Sequence, residues 1–294
     1  VTGHIRKKLL AAGVSDIDRR VLRFIPTHSG KTYYETAEGD FWRLSVFIPR
    51  TQSFAQVTSK NAYDAGLAFG NFESMLTDVD ETLGETIPDF HNMELRIRQL
   101  REAVLADVAG RLTEVRPQVD LLESHAEAMC RAEVLYREGR LPKRICHCDT
   151  KVNNMLFDEA GGVLCVIDLD TVMPSFIFSD YGDFLRTAAN ATREDDPDID
   201  HVSLRWDVVE SFTKGYIEGT HHFLLPIERE LLPFAMQLFP YMQCVRFLTD
   251  YINGDTYYKT TYPAHNLDRA RNQYRLFELT LAGQDRLQHF IDTL

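Results

Sequence analysis

The sequence predicts an α+β fold, with a small antiparallel sheet leading into a large, mainly helical body. Three observations carry this. Extended segments punctuated by turn residues crowd the first 50 positions. Helical periodicity takes over from residue 53. Short strand patterns return only between residues 144 and 167.

Taken in order, residues 1–12 read as a helix with Ile5, Leu9 and Leu10 on one face and Gly13 as its stop. Residues 21–26, 31–36 and 41–48 read as three strands of a meander. His28-Ser29-Gly30 and Ala37-Glu38-Gly39-Asp40 supply the turns between them. Residues 53–75 are helical in pattern, with Phe54, Val57, Leu67 and Phe72 among the apolar positions, and residues 77–92 form a loop. Helices follow over 93–110 and 117–138, with Pro117 suited to a first turn. Residues 144–146, 154–157 and 163–167 read as strands, joined by a hairpin turn at Glu159-Ala160-Gly161-Gly162. Beyond Ser179 the chain is helical, interrupted by an acidic loop at 193–200 and a second loop at 253–264. The natural boundary lies near residues 49–53, giving units 1–50 and 51–294.

Composition narrows the function. Among 294 residues, Lys and Arg number 32 and Asp and Glu 44, a net charge of −12. A nucleic-acid partner needs a basic face, so that class is disfavoured. Hydrophobic residues at 44% and charged residues at 26% are ordinary for a globular chain. No run of 18 apolar residues occurs, so no membrane span is expected, and residues 1–8 lack the apolar centre of a secretory signal. The five cysteines, Cys130, Cys146, Cys148, Cys165 and Cys244, are odd in number, which fits a reducing cytoplasm better than a disulfide framework. Cys146-x-Cys148 is too tight for a zinc knuckle and has no second pair.

Two motifs are decoys. Ser29-Gly30-Lys31-Thr32 resembles the end of a P-loop, but the required earlier glycine position holds Ile25 and Lys31 opens a strand. It reads as a hairpin turn. Gly66-x-x-x-Gly70 lies in a polar-flanked helix and reads as close helix packing within the fold.

The chemistry concentrates in residues 145–186. His147-x-Asp149-x-x-x-x-Asn154 is followed, fourteen residues after Asn154, by Asp168 at the end of an apolar strand. Phosphoryl transfer needs a carboxylate to orient the attacking hydroxyl and oxygen ligands for a magnesium ion. Asp149, Asn154 and Asp168 supply those groups, and the hairpin between them folds Asp168 back beside Asn154. Asp and Asn are also common turn residues. However, Asp149 and Asp168 adjoin apolar strands, where an unpartnered charge is costly. His147 reads as a brace for the loop rather than a base.

These motifs resemble the aminoglycoside phosphotransferase/choline kinase family of the protein-kinase-like fold. The run Val166-Ile167-Asp168-Leu169-Asp170-Thr171-Val172-Met173-Pro174 resembles the branch of that family that phosphorylates N-acetylhexosamines. So do Asp180-Tyr181-Gly182-Asp183, Arg246-Phe247-Leu248-Thr249-Asp250-Tyr251 and Asn253-Gly254-Asp255-Thr256-Tyr257-Tyr258. The resemblance spans nearly the whole chain and implies a two-lobed kinase using ATP and magnesium. The implied acceptor is the anomeric hydroxyl of an N-acetylhexosamine. It makes Asp149 the base or hydroxyl-orienting residue and Asn154 and Asp168 the metal ligands. Asp170 would support the metal or substrate, and Asp180 and Asp183 would hold the catalytic loop. Residues 41–49, with Phe47 and Ile48, would line the adenine pocket, and Arg246, Asp250 and Tyr257 would cover the sugar. The family also cradles ATP phosphates with a loop and a lysine on the first strands. No Gly-x-Gly occurs here and residues 21–26 hold no lysine, so the small lobe is expected to be incomplete, its first strands lying before the helix at 1–12. Its sheet is then expected to expose an edge.

Two alternatives stand beside this reading: an amino alcohol, homoserine or aminoglycoside acceptor on the same fold, and a non-catalytic pseudokinase or binding module. The full Asp149, Asn154 and Asp168 set argues against the second. A sulfatase is disfavoured because no cysteine is followed by Pro at the second position.

Overall fold

The computed structural model describes residues 1–54 and 57–294. Helix α1 (Thr2–Ala11) leads into a single-turn α2 (Ile17–Arg20). Only Ile5 of α1 is buried. Leu9 lies one turn on and is half-buried, whereas Leu10 points away and is 54% exposed. The predicted three-residue face is therefore an i, i+4 stripe.

The small sheet departs from the predicted meander. Strands β1 (Tyr34–Glu35) and β2 (Phe41–Trp42) pair antiparallel, Tyr34 opposite Trp42. Phe24 bridges Ser45, with Ile25 N–H donating to Leu44 O and Val46 N–H to Arg23 O, both at 2.8 Å. Residues 23–25 and 34–35 thus pair with successive parts of one segment. The arrangement is a hairpin whose first arm makes an excursion at 27–33, not three strands side by side. The excursion is closed by Thr27 N–H to Lys31 O at 2.8 Å, so Ser29–Thr32 is a turn. The hairpin tip needs Gly39, whose φ of +88° belongs to the left-handed region. Tyr34, Phe41, Trp42 and Leu44 leave the sheet largely exposed.

Helix α3 (Ser59–Met75) begins later than the pattern suggested. Gln52 exchanges backbone hydrogen bonds with Phe157 at 2.9 and 3.0 Å, which holds the chain extended there. Thr58 then caps the helix, its Oγ1 accepting from Asn61 N–H. Ala55 and Gln56, within the predicted helix, lie outside the described residues. Helix α4 (Met93–Ala106) follows the loop at 77–92, then α5 (Leu112–Met129) and α6 (Arg131–Arg137). Pro117 lies inside α5, five residues past its start, not in a first turn. The helix survives the lost N–H because Val115, Val119 and Leu122 bury one stripe.

Strand β3 (Arg144–Cys146) pairs with β6 (Met173–Ser175), and β4 (Met155–Phe157) with β5 (Val163–Val166). The β6 strand was absent from the sequence reading; three residues starting Met173-Pro174 give no alternation to detect. Helices α7 (Phe178–Ala188), α8 (Trp206–Thr220), α9 (Pro226–Glu230), α10 (Leu232–Ile252), α11 (His265–Ala282) and α12 (Gln284–Asp292) complete the body. Most of α10 is buried, and α4, α7 and α11 pack around it.

Helices α3 and α8 touch through glycines. A Cβ on Gly66 would lie 2.2 Å from Phe212 O, and one on Gly215 would lie 2.1 Å from Tyr63 O. The Gly66/Gly70 spacing is therefore close helix packing. Among the described residues, no helix is long and apolar enough to cross a membrane.

Candidate active site

The site grows from the turn after β3. His147 is fully buried; its Nε2–H donates to Ile167 O at 2.8 Å, which leaves Nδ1 to accept Asp149 N–H at 3.3 Å. The ring is thereby a neutral brace between the loop and the end of β5. Its backbone N–H and that of Cys148 donate to Asp180 Oδ2 and Oδ1, each at 2.7 Å. Thr150 Oγ1 donates to Asp180 O and Thr171 Oγ1 to His147 O. These bonds hold Cys148 at φ +65°, a strained value for a residue with a side chain.

Asp180 is fully buried, and burial raises its pKa. Beneath it lies Glu73 from α3, also buried, whose Oε2 accepts from Tyr216 OH at 2.7 Å. Burial first, and the Asp180 carboxylate second, push Glu73 well above the ordinary range. Cys146 closes this cluster. Asp183 is bound to Arg186 at 2.9 Å, and Arg186 also reaches Glu194 at 3.3 Å. Asp180 spends both oxygens on backbone amides, and Asp183 Oδ1 is taken up by Arg186.

Asp149 is only partly buried. One oxygen pairs with Lys151 Nζ at 2.7 Å and the other accepts from Asn154 Nδ2 at 3.1 Å. That Nδ2 also donates to Asp149 O at 2.7 Å, so Asn154 Oδ1 is left without a donor among the described residues. Ile167 N–H donates to Asn154 O at 2.9 Å, which sets Asp168 one residue past the end of the hairpin. Asp168 adopts φ +57° and its carboxylate has no partner among the described residues. Asp168, with its unpartnered carboxylate, and Asn154, with its free amide oxygen, are the residue types whose hard oxygen donors a divalent cation needs. Asp170 instead pairs with Arg43.

Two cavities are lined by residues that the sequence singled out. The first, about 370 Å³, is lined by Phe24, Arg43, Ser45, Phe47, Ile48 and Asp168. Phe47 and Ile48 thus share a cleft with Asp168. The connection behind them is fixed by Arg19, which donates to Pro49 O at 3.2 Å and Arg50 O at 2.9 Å. The second cavity, about 650 Å³, is lined by Phe90, Arg96, Arg246, Asp250, Tyr257 and Tyr258. The Arg246 guanidinium lies 5.3 Å over the Phe90 ring and 5.7 Å over Tyr258, with no carboxylate partner among the described residues. Half-buried His91, its Nδ1 2.9 Å from Ser179 Oγ, stacks on Phe90, which lines the second cavity. Burial pushes its pKa well below the ordinary value, Arg246, Arg96 and Arg186 push it further, and Asp149 opposes them.

Asp250 is 4% exposed, and its oxygens accept from the N–H groups of Thr256, Tyr257 and Tyr258 at 2.8–2.9 Å and from Asn266 Nδ2 at 2.9 Å. It shapes the loop that carries Tyr257 and has no lone pair to spare for an acceptor. The sequence reading also passed over Lys151, Glu73, His91 and Arg96. Lys151 was two residues from Asp149 and open to detection; the others are brought in by distant elements.

The chain resembles solved kinase-like phosphotransferase structures along its length. An aminoglycoside phosphotransferase from Alicyclobacillus acidocaldarius superposes with a TM-score of 0.63 at 16% identity, covering 100% of this chain and 85% of that one. An ethanolamine kinase of Plasmodium vivax gives 0.53 at 14%, covering 97% and 73%. A choline/ethanolamine kinase family protein from Mesorhizobium loti gives 0.51 at 14%, covering 97% and 83%. These define the class: a small antiparallel-sheet lobe and a mostly helical lobe in a kinase-like fold. The phosphotransferase enzyme family model, APH, matches residues 20–216, and the chain belongs to that family.

Proposed function

We propose that this phosphotransferase moves the terminal phosphoryl group of ATP to the anomeric hydroxyl of an N-acetylhexosamine. The observation that carries the reading is the Asp149–Lys151–Asn154 constellation beside the free carboxylate of Asp168. Asp149 would accept a hydrogen bond from the acceptor hydroxyl and take its proton as the bond to phosphorus forms. Lys151 balances the charge of Asp149. Asn154 Oδ1 and Asp168 would hold a magnesium ion, whose part is to neutralise charge on the phosphates. Phe47 and Ile48 give the first cleft an apolar end suited to a purine. We place the division between nucleotide-binding and acceptor-binding parts near residue 50.

The acceptor cavity favours a neutral hydroxylated ligand. Arg246 offers a planar fork to sugar oxygens, and Tyr257 offers a ring to a sugar face. A cationic aminoglycoside or amino alcohol meets Arg96 and Arg246 there, while Asp250 is committed to backbone amides and Glu102 lies 3.9 Å from Arg98. That repulsion ranks those acceptors second.

The test is steady-state kinetics with a panel of N-acetylhexosamines, choline, ethanolamine and aminoglycosides. N-acetylhexosamines should give the highest kcat/KM, and Asp149→Asn should lower kcat about 100-fold or more with little change in ATP binding. Preference for a cationic acceptor refutes the substrate reading. Near-normal turnover by the variant removes Asp149 from the mechanism.

A further inference from the structure

Arg43 follows β2 on the segment that also carries Phe47. Side chains alternate along an extended chain, so Arg43, Ser45 and Phe47 share one face, and all three line the first cleft. Four residues of strand span about 13 Å, which separates the Phe47 end from the Arg43 end. The Arg43 end is where Asp168 and Asp170 lie. Among the described residues lining this cleft, Arg43 is the one cation.

Its guanidinium is held from two sides. The Phe24 ring lies 5.0 Å beneath it, and the Asp170 carboxylate pairs with it. Both partners of that pair are about half exposed, 49% and 54%. Such a pair contributes little, so an incoming anion can replace the carboxylate at small cost. The ring below keeps the planar fork aimed into the cleft while the partner changes.

We propose that Arg43 binds the phosphates of a nucleoside di- or triphosphate in this cleft, and that Asp170 is the internal anion it exchanges for them. The inference rests on reading the cleft as a nucleotide site and adds the residue that grips the polyphosphate. A guanidinium makes paired, charge-assisted hydrogen bonds to phosphate oxygens. Adenosine, which lacks phosphate, gains nothing from Arg43. When ADP occupies the cleft, Asp170 is released toward the Asp168 side, two residues away along the chain.

Calorimetry on the 294-residue protein, without acceptor, reads this directly. Arg43→Ala should weaken ADP binding about tenfold or more and leave adenosine binding within twofold. Arg43→Lys should fall between, since the charge remains and the fork is lost. In EDTA, Asp170→Asn should tighten ADP about two- to threefold by removing the competing anion, and the gain should vanish when combined with Arg43→Ala. Unchanged ADP affinity in Arg43→Ala overturns the proposal. Equal losses for ADP and adenosine also overturn it, because they mark a purely structural role. Failure of the wild-type protein to bind either ligand overturns the nucleotide cleft itself, and Arg43 with it.

Discussion

Glu133→Gln should gain stability relative to wild type as the pH is raised from 5 to 8. Glu133 lies on α6 and is 7% exposed. One oxygen accepts from Met93 N–H at 2.6 Å, at the start of α4, and the other is buried without a hydrogen-bond partner among the described residues. Burial, against the opposing Met93 hydrogen bond, pushes its pKa from an ordinary 4.5 to about 7. The folded state therefore holds a proton that the unfolded chain has released between those two values. Stability falls as pH rises from about 4.5 to about 7 and then levels off, at a total cost of about 3 kcal/mol. Glutamine keeps the oxygen that Met93 needs and carries no charge. At about 2 °C per kcal/mol for a chain of this size, the variant's melting temperature relative to wild type should rise by about 5 °C between pH 5 and pH 8. The unsatisfied amide N–H lowers both ends of the pH range alike, so the readout is the difference between pH 5 and pH 8. Thermal unfolding of both proteins across this range decides it. Parallel curves would mean that Glu133 is charged without penalty, which would refute the argument from burial.

Three further outcomes follow from contacts described above. Gly215→Ala would set a methyl 2.1 Å from Tyr63 O and should destabilise by at least about 3 kcal/mol, whereas Gly3→Ala, with nothing within 4 Å, should be neutral; denaturant unfolding compares them. Asp180→Asn weakens the hold on the His147 and Cys148 amides, so kcat should drop tenfold or more with the KM for ATP changed less than threefold. Asp250→Asn should loosen residues 256–258, seen as faster amide hydrogen exchange there, and should raise the KM of the acceptor rather than that of ATP.

The body of the fold was legible because its helices carry strong apolar stripes, and α10 and α11 are long enough for periodicity to speak. The small sheet was not, because two-residue strands leave no alternation, and one segment serving two partners cannot be told from three strands in a row. Around the candidate site, the contacts among Asp149, Lys151 and Asn154 follow from local spacing, since these residues lie within five positions of one another. The hairpin length likewise brings Asp168 to Asn154. What stayed hidden is long-range. Arg43 meets Asp170 across 127 positions, and Glu73 comes under Asp180 only through the packing of α3 on α8. Asp250 was placed correctly one turn from Arg246, yet helical phase says nothing about which amides claim a carboxylate.

Helix α3 starts just after the connection at residues 49–53 and ends with Glu73 beneath the catalytic loop. At 17 residues it is a strut about 25 Å long. Its glycines are wedged against the backbone of α8, so it can neither roll nor slide without opening that seam. Glu73, packed beneath Asp180, is thereby held on a rigid seam, and with it the turn after β3 whose amides Asp180 binds.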